Sequence, residues 1–312
     1  MTRVGCTVNV PGMHGSLEVD GTILVTGATG TIGSEVFRRL AAAGDRPRAL
    51  VRDTQSALAR LGEGAEHVVG DLDRRESLDV AMAGIDRVFL LTRQSSRQGA
   101  QERNVIDAAA SAGVRRVVKL SVFRADERSP LRIARQHRDT ERALEASGLA
   151  YVIVRPVFLM QNLLAMVRGE AIRTAAGAGR VAMVDARDVA ATAVAALTRG
   201  GGDGKTYTLT GPQPLSFDEV AAIVSQQTGA RVRHQHVAPD DVRRAVERSG
   251  AEAWFAADMA ELHGMLANGY EDLVTDDVCD ATGTAPGMLA EFAFDFADRL
   301  AAGTQPPPSG LA

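Results

Sequence analysis

The sequence predicts an α/β protein. Its main part is a doubly wound parallel sheet with helices on both faces, joined by a smaller, mainly helical C-terminal lobe. Three observations carry this expectation. Short apolar strands alternate with helices of ten or more residues from Thr22 to Pro156, which is the pattern of a parallel sheet covered on both faces. The first strand runs directly into a glycine-rich turn and then a helix. After Pro156 the alternation stops and helical signals dominate.

Taken in order, 22–25 is a short apolar strand, and 31–43 is a helix with apolar residues at Ile32, Val36, Leu40 and Ala43, stopped by Gly44. Strands are expected at 49–51, 66–69 and 87–92. A helix over 102–112 ends at Gly113, and a strand follows at 116–121. A second long helix over 131–147 ends at Gly148 and leads into a strand at 151–154. Segment 160–179 has mixed signals. An Ala-rich helix over 185–197 has Asp185 as its N-cap. A strand is expected at 206–209, and Ser216-Phe217-Asp218-Glu219 is a capping box that opens another helix. Further helices are expected around 240–248, 252–266 and 287–301. The organisation is an extension at 1–21, a sheet domain at 22–159 that also receives 181–199, a lobe built from 160–180 and 200–302, and a tail at 303–312 expected to be disordered.

Composition narrows the class. A chain of 312 residues with 45% hydrophobic and 24% charged residues is an ordinary soluble globular protein, long enough to need no disulfide or metal staple. Its net charge of -4 gives no case for nucleic acid or an anionic membrane. Cys6 and Cys279 exclude a disulfide framework and a cysteine zinc cluster. His234 and His236 share one face of a strand but lack a third ligand, so no metal is expected and they read as a solvated face. No apolar stretch is long enough to span a bilayer, and the N-terminus lacks a signal-peptide core, which makes the cytoplasm the expected compartment. Of the 35 basic residues only Lys119 and Lys205 are lysines, and the tyrosines are Tyr151, Tyr207 and Tyr270. Any mechanism that needs Tyr or Lys is therefore easy to check.

Thr26-Gly27-Ala28-Thr29-Gly30-Thr31-Ile32-Gly33 carries the most information. Between a strand and a helix, Gly27 permits the sharp turn, Gly30 lets backbone approach a pyrophosphate, and Gly33 lets the helix pack on the strand. The helix N-terminus supplies unpaired N–H groups and partial positive charge for phosphates. Gly27, Thr29, Gly30, Thr31, Ile32 and Gly33 are thus candidate cofactor residues of a Rossmann-type site. The second strand ends in Leu50-Val51-Arg52-Asp53. A guanidinium at this position suits the 2′-phosphate of NADP, so NADP(H) is preferred over NAD(H), while Asp53 is left as a ribose ligand for NAD(H).

These segments, with Gly70-Asp71-Leu72, Phe89–Thr92, Asn104–Ser121, 147–156, Phe158–Asn162 and 184–190, resemble an atypical short-chain dehydrogenase/reductase. More narrowly, the chain is similar to the NmrA-like group over about residues 22–300. That group includes quinone reductases, azoreductases, redox-sensing co-regulators and ergot-alkaloid reductases. The resemblance implies that Asp71 and Leu72 face the adenine, that Leu91 and Thr92 line the ribose through backbone contacts, and that Ser121 lies near the nicotinamide ribose. Pro156 and Phe158 would flank the nicotinamide. All are carboxyl-end positions, where open parallel sheets bind ligands.

The Tyr-x-x-x-Lys pair of standard short-chain dehydrogenases is absent. Four residues after the three tyrosines stand Arg155, Gly211 and Val274. In the 131–147 helix the Tyr position falls at Ile133 and the Lys position at His137. An unactivated ketone is then a hard substrate, because the developing alkoxide lacks a strong local acid. A quinone, azo compound, enone or imine tolerates the loss, since transfer needs mainly positioning. His137 is the candidate catalytic residue, able to donate a proton or a hydrogen bond; the bland reading is a surface helix pair with Glu141. Asn162, Met160, Trp254 and Phe255 are candidates to shape the substrate pocket. The expectation is an NADPH-dependent reductase of a small conjugated acceptor. A non-catalytic NADP(H) sensor and a secondary-metabolite tailoring reductase remain open, as does the oligomeric state.

Overall fold

The computed structural model describes residues 21–304; the expected N-terminal extension and disordered tail fall almost wholly on 1–20 and 305–312, outside the described residues. The chain begins β1 (Thr22–Val25), α1 (Thr31–Ala42), β2 (Arg46–Val51), α2 (Thr54–Leu61), β3 (His67–Val69), α3 (Arg75–Ala81) and β4 (Ile85–Leu90). It continues α4 (Gln98–Ser111), β5 (Arg116–Leu120), α5 (Arg132–Ala146) and β6 (Ala150–Pro156). A 3-10 turn at Met160–Asn162 leads into α6 (Leu163–Met166), then β7 (Val167–Arg168), β8 (Ala171–Thr174), β9 (Arg180–Val181) and α7 (Ala186–Thr198). The remainder is β10 (Lys205–Leu209), β11 (Leu215–Ser216), α8 (Phe217–Thr228), β12 (Arg233–His236), α9 (Pro239–Arg248), α10 (Ala253–Ala267), α11 (Asp277–Thr282), α12 (Leu289–Asp295) and α13 (Ala297–Ala301).

Seven parallel strands form the main sheet in the order β10-β6-β5-β4-β1-β2-β3. The chain winds outward one way from β1 through β2 and β3, then returns to β4 on the other side. The switch point between β1 and β4 opens a crevice at the carboxyl edge. Thr26 braces it, donating to Leu91 O at 2.7 Å while accepting from Leu91 N–H at 2.8 Å.

The strands alternate their side chains between two cores, as a period of two demands. Ile23, Val25, Phe89, Val118 and Val152 meet α1 and α7; Leu24, Leu50, Val88, Leu90 and Val117 meet α3 and α4. Helix α1 presents Ile32, Val36, Phe37 and Leu40 to the sheet, side chains worth about 1.5–3 kcal/mol each when fully buried. A third core, with Phe217 and Phe292 at its centre, belongs to the lobe. There Ser216 and Glu219 close the expected capping box on α8.

Several expectations change. The strand expected at 206–209 within the lobe is β10, which pairs in parallel with β6 and completes the main sheet. The reason is connectivity: α7 brings the chain back beneath the sheet, so the strand after it meets an open parallel edge. Asp185 does cap α7, accepting from Arg187 N–H. The lobe also carries a small three-stranded sheet, β12-β8-β7. His234 there is not solvated: its ring packs on Phe217 and meets the Thr174 hydroxyl at 2.8 Å. The helix expected over 287–301 breaks at Phe296.

Candidate active site

The glycine turn forms at the carboxyl end of β1. Gly27 has φ 62°, left-handed backbone that disfavours a side chain. A Cβ on Gly33 would stand 2.1 Å from Gly27 O, so helix and turn can touch only because residue 33 is glycine. No side chain caps α1 at Gly30, and its first turn has no acidic residue. The orphan N–H groups of Thr31, Ile32 and Gly33 therefore face the crevice without a capping partner. A Cβ on Gly30 would fill that space, meeting only Gly27 O at 3.3 Å. An uncapped helix start over an open glycine is chemistry that fits a diphosphate.

Arg52 is exposed at the end of β2 and makes no ion pair or hydrogen bond among the described residues. Asp53 is committed elsewhere. Its carboxylate accepts from Ser56 N–H at 2.8 Å and Ser56 Oγ–H at 2.9 Å, capping α2, and these bonds hold its pKa below the usual range. The sequence left Asp53 as a ribose ligand; the local fold uses it as a helix cap and leaves the guanidinium free. Asp71 also serves its turn, with Oδ1 accepting from Asp73 N–H at 2.9 Å. The Leu72 carbonyl accepts from Asn104.

A cavity of about 940 Å³ continues from this edge over the ends of β4, β5 and β6 and beneath α9 and α10. It gathers Ile32, Leu91, Thr92, Ser121, Pro156 and Phe158 from the predicted cofactor residues. His137, Asn162 and Phe255 line it as well. Two expected pocket residues do not. Met160 is 1% exposed inside the lobe core, because the 3-10 turn directs it inward. Trp254 stacks on the Arg132 guanidinium at 4.8 Å, behind Phe255.

His137 is neither exposed nor paired with Glu141. Glu141 is fully buried and accepts from Ser121, Arg155 and Arg138. The His137 Nδ1 atom instead lies 3.0 Å from Lys119 Nζ. Lys119, one of the two lysines of the chain, points from β5 towards α4 and α5. Its ammonium places all three protons: on Glu102 Oε2 at 2.8 Å, on Leu120 O at 3.1 Å and on His137 Nδ1. Glu102 is closed by Thr92, Gln98 and Thr140 as well. Burial is the largest influence and works to raise the Glu102 pKa, but the charges beside it, Lys119 first, together with the hydrogen bonds from Lys119 and Thr140 outweigh it and bring it down to about 2. For His137, burial and the adjacent ammonium act together and lower the pKa to about 3. The imidazole is neutral, with its one proton on Nε2. It is a hydrogen-bond donor, and the proton-donating half of the expectation does not fit this environment.

Two further buried groups line the cavity and had no sequence signal. His263, on α10, accepts from Ala175 N–H through Nδ1 at 3.1 Å, and burial lowers its pKa to about 4. Glu271, just after α10, is 5% exposed and accepts from Phe158 N–H at 2.9 Å. Its segment, Asn268-Gly269-Tyr270-Glu271, is a turn. Only the packing of that turn against β6 buries the carboxyl.

The sequence profile of the NmrA-like family matches residues 19–276. The chain is 38% identical to NAD(P)H azoreductase of Xenophilus azovorans, over 87% of this chain and 96% of that protein. It is 37% identical to (4-alkanoyl-5-oxo-2,5-dihydrofuran-3-yl)methyl phosphate reductase of Streptomyces griseus, over 80% of this chain and 95% of the relative. Among solved structures it is similar to the NADPH-dependent quinone oxidoreductase of Escherichia coli complexed with NADPH. The TM-score is 0.78 and the identity 28%, covering 88% of this chain and 99% of that one.

Proposed function

This chain belongs to the NmrA-like family, and from that premise we propose that it is an NADPH-dependent reductase of a small conjugated acceptor, a quinone, azo compound, enone or imine. One observation carries the reading. A single crevice runs from an uncapped glycine turn to a largely apolar cavity that contains a hydrogen-bond donor but no Tyr/Lys pair. When bound, NADPH supplies the hydride.

The remaining work falls to the chain's own groups. The N–H groups at the start of α1 hold the diphosphate, and Arg52 pairs with the 2′-phosphate. Pro156 and Phe158 flank the nicotinamide at the end of β6. Leu120, Phe123, Phe255, Met259 and Leu262 wall the cavity, excluding water and holding a flat acceptor against the reactive face. Gln98 Nε2 lies 3.0 Å from His137 Nε2 and donates to Glu102. The His137 Nε2 atom therefore faces the Gln98 amide.

The test is loss of NADPH absorbance against a panel of quinones, azo dyes, enones and imines. Turnover of at least one class is expected, with simple ketones left unreduced. Tight NADPH binding with no turnover of any acceptor would sink the reading.

A further inference from the structure

Hydride transfer to a neutral acceptor leaves a negative charge that must be met by a proton, and the missing phenol raises the question of its source. We infer that Glu271 is the acid that protonates the acceptor in the cavity, an inference that rests on the reductase reading above. Gly269, at φ 78°, lets the chain reverse after α10. The reversal sets Glu271 beside the residues that follow β6, and Ala182 N–H, just after β9, holds its backbone carbonyl. The side chain is one hydrogen bond from Phe158, the residue placed beside the nicotinamide. Its Oε2 is taken by the Phe158 amide, while Oε1 makes no hydrogen bond among the described residues. A protonated carboxyl suits this setting: the carbonyl oxygen accepts the amide and the hydroxyl is left for the acceptor.

The other titratable groups around the cavity do not fill the role. His137 and His263 each accept a hydrogen bond at Nδ1, so each keeps a single ring proton as a neutral imidazole, a donor but not an acid. Asp241 is exposed at the rim and paired with Arg244 at 2.8 Å. Arg168, Arg173 and Arg248, also at the rim, are permanent cations. Tyr270, edge-on to Phe123, is a phenol whose pKa burial raises further. Arg124, stacked on the Phe123 and Tyr270 rings at 4.9 Å, is the charge that acts on Glu271. Burial raises the Glu271 pKa to about 7, against the pull of the Phe158 N–H and Arg124. With that pKa the group is about half protonated at neutral pH and able to release its proton.

The step balances. For an acceptor X=Y, hydride forms an X–H bond, the Glu271 O–H bond breaks, and a Y–H bond forms. The dinucleotide is oxidised by two electrons and the acceptor reduced by two. The carboxylate left behind takes one proton from water at the cavity mouth.

The test compares wild type, Glu271→Gln and Tyr270→Phe, and Gln keeps an oxygen to accept the Phe158 N–H. Wild-type kcat should fall as pH rises through about 7. Glu271→Gln should lower kcat by about 10²–10⁴-fold, leave KM and NADPH affinity nearly unchanged, and abolish that pH limb. Infrared difference titration of the protein without acceptor should show a protonated-carboxyl band lost near neutral pH and missing from Glu271→Gln. Asp188, which burial raises to about 6, titrates in both proteins and cancels. An unchanged pH limb in Glu271→Gln, a limb that disappears in Tyr270→Phe instead, or no neutral-titrating carboxyl at Glu271 would each overturn the inference. A wild type that reduces no acceptor would overturn the functional reading and the inference with it. An active wild type with an indifferent Glu271→Gln overturns the inference alone.

Discussion

Arg52 and Asp53 are adjacent in sequence and opposite in fate. Asp53 spends its carboxylate on Ser56, and Arg52 is left at the crevice without a protein partner among the described residues. Arg52→Ala should weaken NADPH binding by about 10–100-fold, the range of a lost charge-assisted pair, and change NADH binding little. Fluorescence titration with both nucleotides checks this; equal loss for the two would refute the 2′-phosphate role. The arginine stood out in the sequence because a residue at the end of the second strand has a known use. The Asp53 cap was not, since no helix was expected at 54–61. Met160 and Trp254 mark the same boundary: an apolar side chain beside a pocket motif has no sequence mark for the direction in which it points.

At the scale of elements, the glycine turn and the β5–α4–α5 network behave differently. Gly30→Val should leave the fold intact and abolish nucleotide binding, because its Cβ meets only Gly27 O, at 3.3 Å, while occupying the phosphate space. Gly33→Ala should lower the melting temperature as well, since its Cβ would clash with Gly27 O at 2.1 Å. Circular dichroism melts beside binding titrations separate the two. In the network, Lys119 and Glu102 are 0% and 1% exposed at their side chains. Lys119→Met leaves Glu102 buried without its cation and should cost about 3–5 kcal/mol in urea unfolding. Adding Glu102→Gln should recover part of that loss; simple additivity would show that the two do not interact. The pH dependence follows from the same groups. Glu102 has a folded pKa of about 2, below its ordinary 4.5, so its stabilisation is present above 4.5 and lost as pH falls towards 2. His137 has a folded pKa of about 3, below 6.5, so the unfolded chain gains a proton that the fold refuses as pH falls between those values. Both effects predict acid destabilisation, and Lys119→Met should reshape it. Period and caps made strands and long helices legible, but the meeting of a strand lysine with residues 17 and 18 positions away was not.

Across the whole molecule, the lobe is tied to the sheet at the site itself. Asp258 on α10 accepts from Arg132 and Ile133 N–H at 3.0 and 2.7 Å, capping α5 from another part of the chain. Asp258→Ala should destabilise by about 0.5–2 kcal/mol, the worth of an N-cap. It should also raise the KM for the acceptor more than that for NADPH, because the lobe wall moves relative to α5. Equal changes in both would show that the lobe is not held by this cap. The return of β10 to the sheet and the burial of Glu271 depend on the same long-range closure. Among the described residues no helix is long and apolar enough to cross a membrane.

By itself the sequence determined the parallel sheet, the glycine turn and the class of ligand, because each is written in a local pattern: alternating apolar strands, helix stops, and three glycines between a strand and a helix. It also established that the Tyr/Lys pair is absent. Only the tertiary structure decided which ionisable groups lie in the cavity in its place. Lys119 reaches His137 from β5, and Glu271 reaches the cavity from a turn more than a hundred residues further along. Charge state depends on burial and on neighbours in space, and neither is a property of a residue's position in the chain.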